Sequence, residues 1–145
     1  VATNSTADET TDGFTDDERA AMKERAKEVR GKKAKVDPLQ DLLEKIAALP
    51  DDDRLLAERV HAIVTEVAPA LSPKTWYGMP AWAKDGKVVV FVQPASKFKA
   101  RYATLGFNDD ATLDDGDIWA TSFAVTQVTP AVEQQIRELV ARAAD

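Results

Sequence analysis

"TWYGMPAWAKDGKVVVFV", Thr75 to Val92, decides the fold. Its second half, "KVVVFV" from Lys87 to Val92, is a run of β-branched residues with one aromatic, which suits a strand with little solvent contact. Asp85-Gly86 precedes it, the dipeptide that most readily makes a two-residue hairpin turn. The turn joins Lys87–Val92 antiparallel to the segment before it. That segment, "TWYGMPAW", raises a conflict. Drawn as one strand, it points Trp76, Gly78, Pro80 and Trp82 one way and Tyr77, Met79 and Ala81 the other. Large apolar groups then lie on both faces. Pro80 has no N–H for a ladder, so the expected strand is an edge strand or breaks at Met79-Pro80.

Upstream the periodicity is helical. Thr15 with Glu18 forms a capping box for a helix to about Arg30, with Asp16 and Asp17 at the positive end of its dipole. Its apolar content is thin, which predicts a mostly solvated, peripheral helix. Asp37-Pro38 reads as an N-cap followed by Pro at the first helical position, and Leu39, Leu42, Leu43 and Ile46 make a stripe. Asp51, Asp52 and Asp53 open the next helix, whose Leu56, Val60, Ile63 and Val67 share one face.

Downstream, Phe98 to Leu105 alternates and is expected to be a third strand. "IWATSFAVTQV" is expected to be a fourth. Thr129-Pro130 then caps a last helix with Val132, Ile136, Leu139 and Val140 on one face. Helices first, then hairpin-linked strands, then a helix give an α+β, two-layer sandwich: an antiparallel sheet of about four to five strands with the N- and C-terminal helices on one face. The expected organisation is an acidic disordered tail at 1–13 and a single domain at 14–145. Within it, 14–36 is a peripheral helix and linker and 37–145 is the core.

Composition narrows function. With 145 residues the chain buries about 70% of its unfolded surface without staples. A net charge of −6 argues against non-specific binding to nucleic acid or anionic membranes. The absence of cysteine removes disulfides, thiol catalysis and cysteine-based metal sites, and is in keeping with a cytoplasmic protein. No run approaches the ~18 apolar residues of a membrane helix. "VATNSTADETTDG" has neither the basic start nor the apolar core of a signal peptide. Phosphate-binding glycine loops and the G-x-S-x-G nucleophile motif are also missing.

"YGMPAWAKDGKVVVFV", Tyr77 to Val92, resembles the YdhG-like domains of unknown function, a family that includes bacterial frataxin-like proteins. "KFKARY" is similar to the family's lysine-rich third strand, and "DGDIWATSFAVTQVTPAVEQQIRELVARA" to its closing strand and helix. The resemblance covers about Pro38 to Ala143. It implies a frataxin-like sandwich and no catalytic residues. Because some relatives are described as iron chaperones, it also implies iron, or an iron-using partner protein, as what the chain would handle.

Three groups of residues are candidates for that work. Asp109, Asp110, Asp114, Asp115 and Asp117 crowd one loop, and hard cations and iron favour several convergent carboxylates. The EF-hand pattern fails there: with Gly116 as the sixth position, Ala111 stands first, where an Asp is needed. Lys97, Lys99 and Arg101 share one face of the expected third strand, spaced about 7 Å apart, as a row for an anionic ligand or acidic partner. Trp76, Tyr77, Met79 and Trp82, with Trp119 from the following strand, are the expected aromatic surface beside that row. His61, the single histidine, lacks the companion ligands of a metal site and is expected to have a structural or surface role. The expected function is therefore a binding or carrier protein for iron. The alternative is a ligand- or partner-binding module that uses the aromatic and basic surface without metal.

Overall fold

The computed structural model describes residues 15–33 and 37–145; the expected tail at 1–13 lies outside them, as do residues 34–36 of the linker. The order is α1 (Asp16–Lys33), α2 (Pro38–Ala47), α3 (Asp51–Val67), β1 (Ser72–Trp76), β2 (Met79–Lys84), β3 (Lys87–Gln93), a 3-10 turn (Ser96–Phe98), β4 (Ala103–Phe107), β5 (Ser122–Val125) and α4 (Pro130–Ala143). The five strands form one antiparallel sheet in the order β1-β2-β3-β4-β5. Each strand lies beside its neighbour in sequence, as hairpin connections require.

The helix signals act where they occur. Thr15 Oγ1 accepts the Glu18 N–H at 3.0 Å, and its hydroxyl donates to the Glu18 carboxylate at 3.2 Å. Asp37 accepts the Leu39 N–H at 3.1 Å, and Thr129 accepts the Val132 N–H at 3.2 Å. Helices α2, α3 and α4 bury Leu42, Ile46, Leu56, Val60, Ile63, Ile136 and Val140 against Trp82, Val90, Val92, Leu105 and Phe107 of the sheet. The α2 stripe is narrower than expected, because Leu39 and Leu43 are exposed. The result is a two-layer α+β arrangement.

The opening stretch is two strands. β1 ends at Trp76, Tyr77 and Gly78 make the turn, and β2 starts at Met79. Both turn residues have positive φ, 52° and 76°, the backbone of a type I′ turn. Asp85 and Gly86 repeat that geometry, φ 52° and 81°, at the next hairpin. The break is therefore at Tyr77-Gly78 and not at Met79-Pro80. Pro80 is accommodated inside β2 because Trp76 and Met79 close the turn as a hydrogen-bonded pair. By alternation, the N–H that Pro80 lacks would point toward β3, and the β2–β3 ladder begins one residue later, at Ala81↔Phe91. Trp82 pairs with Val90 and Ala83 with Val88, so Val89 is the extra residue of a β-bulge.

The expected strand Phe98–Leu105 is largely absent. The buried Asp53 carboxylate accepts the Ala95 N–H (2.9 Å), the Ser96 N–H (3.1 Å) and the Ser96 hydroxyl (2.5 Å). This gathers the chain into the 3-10 turn. Lys99 follows at φ 53°, a left-handed conformation outside the β region that regular pairing requires. Pairing resumes only at Ala103. The last expected strand shortens to Ser122–Val125, which leaves Trp119 in the preceding loop.

Candidate functional site

Turning the chain at Tyr77-Gly78 puts the two tryptophans of the opening stretch on opposite faces. Pairing along Pro73, Trp82, Val90 and Phe107 defines the row beneath the helices. Trp82 is 1% exposed there. Its indole N–H donates to His61 Nδ1 at 3.2 Å, and the rings stack at 6.1 Å and 24°. The histidine of α3 thus satisfies a buried donor, with its own proton on Nε2. Burial lowers the His61 pKa from its ordinary value, because the charged ring loses solvation. Trp82 therefore belongs to the core and not to the expected surface cluster.

The opposite face carries the row Lys74, Ala81, Phe91, Gly106 and Ser122, with Trp76 and Met79 two residues along. Trp76 and Phe91 are half-buried, with centroids 5.2 Å apart at 60°. Tyr77 meets Trp76 edge-on at 5.2 Å and is 37% exposed. Phe91 lies down on the sheet because Gly106 beside it has no side chain. A Cβ at Gly106 would come within 2.1 Å of Phe91 Cζ. Met79 and Ala81 are buried on this face. Three aromatic rings thus form a continuous, partly solvated platform on the side away from the helical core.

The turn beneath Tyr77 is held by α1. The Glu28 carboxylate accepts both turn amides, Tyr77 N–H at 3.0 Å and Gly78 N–H at 2.6 Å. Arg25 lies 5.6 Å from the Tyr77 ring centroid, a cation–π distance, and 3.5 Å from Glu28. One turn back, Glu24 meets Lys97 Nζ at 2.9 Å and Lys45 Nζ at 3.6 Å. Gly78 is required on two counts. Its φ is positive, and a Cβ would fall 1.6 Å from Glu24 Oε2 and 2.7 Å from Lys97 Nζ.

The other expected site residues are dispersed. The 3-10 turn breaks the basic row: Lys97 is consumed by Glu24, Lys99 approaches Asp17 at 3.9 Å, and Arg101 sits over the Tyr102 ring at 5.2 Å. Trp119 is 39% exposed, in the loop before β5. The loop of Asp109, Asp110, Asp114, Asp115 and Asp117 is organised by its uncharged members. Ala111 and Leu113 are buried, and the Thr112 hydroxyl donates to the Arg142 carbonyl at 2.6 Å. The aspartates point to solvent. Asp110 approaches Lys87 at 4.0 Å. Among the described residues no three Asp, Glu or His side chains gather closely enough to hold a metal ion, so the loop does not form the expected cluster.

Sequence reasoning missed Phe91, Glu24 and Glu28. Phe91 was hidden inside an apolar run, although alternation from Val90 and Val92 places it on the other face. The i, i+4 spacing of Glu24 and Glu28 is visible, but its target is about fifty residues away. No family model matches this chain, and neither a curated protein nor a solved structure matches it. Among the described residues no helix is long and apolar enough to cross a membrane.

Proposed function

We propose that this domain is a protein-binding module of the YdhG-like kind, with the aromatic platform of Trp76, Tyr77 and Phe91 as its contact surface. The observation that carries the reading is the outward Trp76–Phe91 pair, 5.2 Å apart and half-buried on the face opposite the helices. Tryptophan and tyrosine are the residues most enriched where interfaces hold their binding energy. Folding gains little from leaving them at the surface. A broad sheet face with three adjoining rings suits a protein surface better than a small enclosed ligand. The motif at Tyr77–Val92 and the helix-over-sheet layering support a frataxin-like relationship. Among the described residues the aspartates of the 109–117 loop are solvated and no three acidic or histidine side chains gather, so the reading rests on the aromatic platform and not on that loop. A cytoplasmic setting belongs to the same proposal, from the lack of cysteine and the net charge of −6.

A photoreactive phenylalanine analogue at position 91, in extract of the cells that make the protein, tests the reading. One saturable adduct should form, and Trp76→Ala should suppress it. An adduct pattern identical to that from the same analogue at exposed Lys84 would contradict it.

A further inference from the structure

We propose that the β1–β2 turn is a docking site for acidic helices. Helix α1 occupies it within the chain as a displaceable stand-in for a partner helix with two glutamates one turn apart. This inference rests on the domain being a binding module, but not on the aromatic platform.

The site is built from the sheet side. Tyr77 and Gly78 both sit at positive φ, and their adjacent N–H groups converge on one carboxylate, that of Glu28. Successive amides aimed at one point make an anion-binding concavity whatever residues carry them. Gly78 leaves room beside it, and Glu24 Oε2 fills the place where a Cβ would be. Lys97, 15% exposed, and Lys45 supply two ammonium groups to that second carboxylate. The site thus accepts one carboxylate on the turn amides and another on the lysine pair.

The occupant's hold is almost wholly polar. Among the described side chains of α1, Ala21 is the one buried apolar residue, while Met22 and Val29 are exposed at 47% and 42%. A cleft of about 450 Å³ separates this part of α1 from α2 and β1, reaching Pro38, Asp41 and Lys74. Segments with so few buried apolar contacts open locally at low free energy. The spacing of the occupant defines its replacement. Glu24 and Glu28 reach the two half-sites because they stand i, i+4 on a helix. A lone phosphate or carboxylate would satisfy only one half.

The test uses the full chain with Glu24→Gln and Glu28→Gln, which keeps the helix and removes both charges. The probe is a fluorescent peptide with the sequence of residues 15–33, followed by anisotropy. It should bind the substituted chain at least tenfold more tightly than the unsubstituted one. Adding Lys97→Ala should remove that gain, and a peptide with both glutamates replaced by glutamine should bind at least tenfold more weakly. Equal binding to the two chains, or equal binding of the two peptides, overturns the proposal. Should the doubly substituted chain not fold, Lys97→Ala alone carries the test. The α1 amides should then exchange with solvent at least tenfold faster than in the unsubstituted chain, with β3 amides unchanged. Unaltered α1 exchange overturns it. None of these readouts depends on Trp76 or Phe91, so loss of the platform's partner and loss of this docking are separable results.

Discussion

Gly106→Ala measures how firmly the aromatic platform depends on a bare patch of sheet. Gly106 has no special φ requirement, so alanine is tolerated by the backbone and its effect is steric. The new Cβ would lie 2.1 Å from Phe91 Cζ and 2.6 Å from both Cε atoms, whereas ordinary contact begins at 3.4 Å. The ring must lift by about 1.3 Å, the difference between 3.4 and 2.1 Å. Lifting it disturbs the 5.2 Å contact with Trp76. Overpacking costs about 1–3 kcal/mol, and a disrupted aromatic pair adds about 0.5–1.5 kcal/mol. Replacing glycine in a strand returns about 0.5–1 kcal/mol. The net expectation is a destabilisation of about 0.5–4 kcal/mol, centred on about 2 kcal/mol. At ~3 °C per kcal/mol for a domain of this size, Tm falls by about 6 °C at that central value. Urea unfolding of Gly106→Ala in the native and Phe91→Leu backgrounds is the assay. In the Phe91→Leu background the smaller side chain makes way, and the same substitution becomes neutral or slightly stabilising. An equal cost in both backgrounds would refute the argument, because it would mean that Phe91 does not rest on Gly106.

Outcomes for substitutions at three further positions follow from named contacts. His61 is held with a lowered pKa, so the unfolded chain binds its proton more readily than the folded one. Stability is therefore full above the ordinary histidine pKa of about 6.5 and falls as pH drops below it toward the folded pKa; His61→Ala removes that slope in urea titrations at pH 5 to 8. The same substitution leaves the Trp82 N–H without its partner, so it costs about 1–3 kcal/mol at neutral pH. Asp53→Ala removes the acceptor of two amides and a hydroxyl; a loss of about 2–4 kcal/mol is expected by thermal unfolding, with faster exchange at Ala95 and Ser96. Thr129→Ala uncaps α4 and is expected to cost about 1 kcal/mol in urea, with no change in Trp82 emission.

Signals that act over a few residues were legible. Asp85-Gly86 forms its turn, and Thr15, Asp37 and Thr129 cap the helices they precede. The apolar faces of α3 and α4 meet the sheet as their spacing implies. Where reading failed, a distant partner decided the local structure. The alternation at Lys97–Tyr102 fits a strand, but Asp53, more than forty residues earlier, captures the amides at 95 and 96 and curls the chain. Tyr77 is an unusual residue for a left-handed turn position, and Glu28 helps to hold it there by taking both turn amides. In sequence alone that partner is out of reach, and Pro80 is the stronger break signal. The surface was half legible for the same reason. The aromatics were visible in sequence, but their division between faces depends on where the turn falls. The basic row depended on a strand that does not form.

Acrylamide quenching of single-tryptophan chains measures which tryptophan of the opening stretch faces solvent. One chain keeps Trp76, through Trp82→Phe and Trp119→Phe; the other keeps Trp82, through Trp76→Phe and Trp119→Phe. Red-shifted emission and several-fold more efficient quenching are expected for Trp76, and blue-shifted, weakly quenched emission for Trp82. Equal quenching of the two, or the reverse order, would contradict an outward platform at Trp76 and an inward anchor at Trp82.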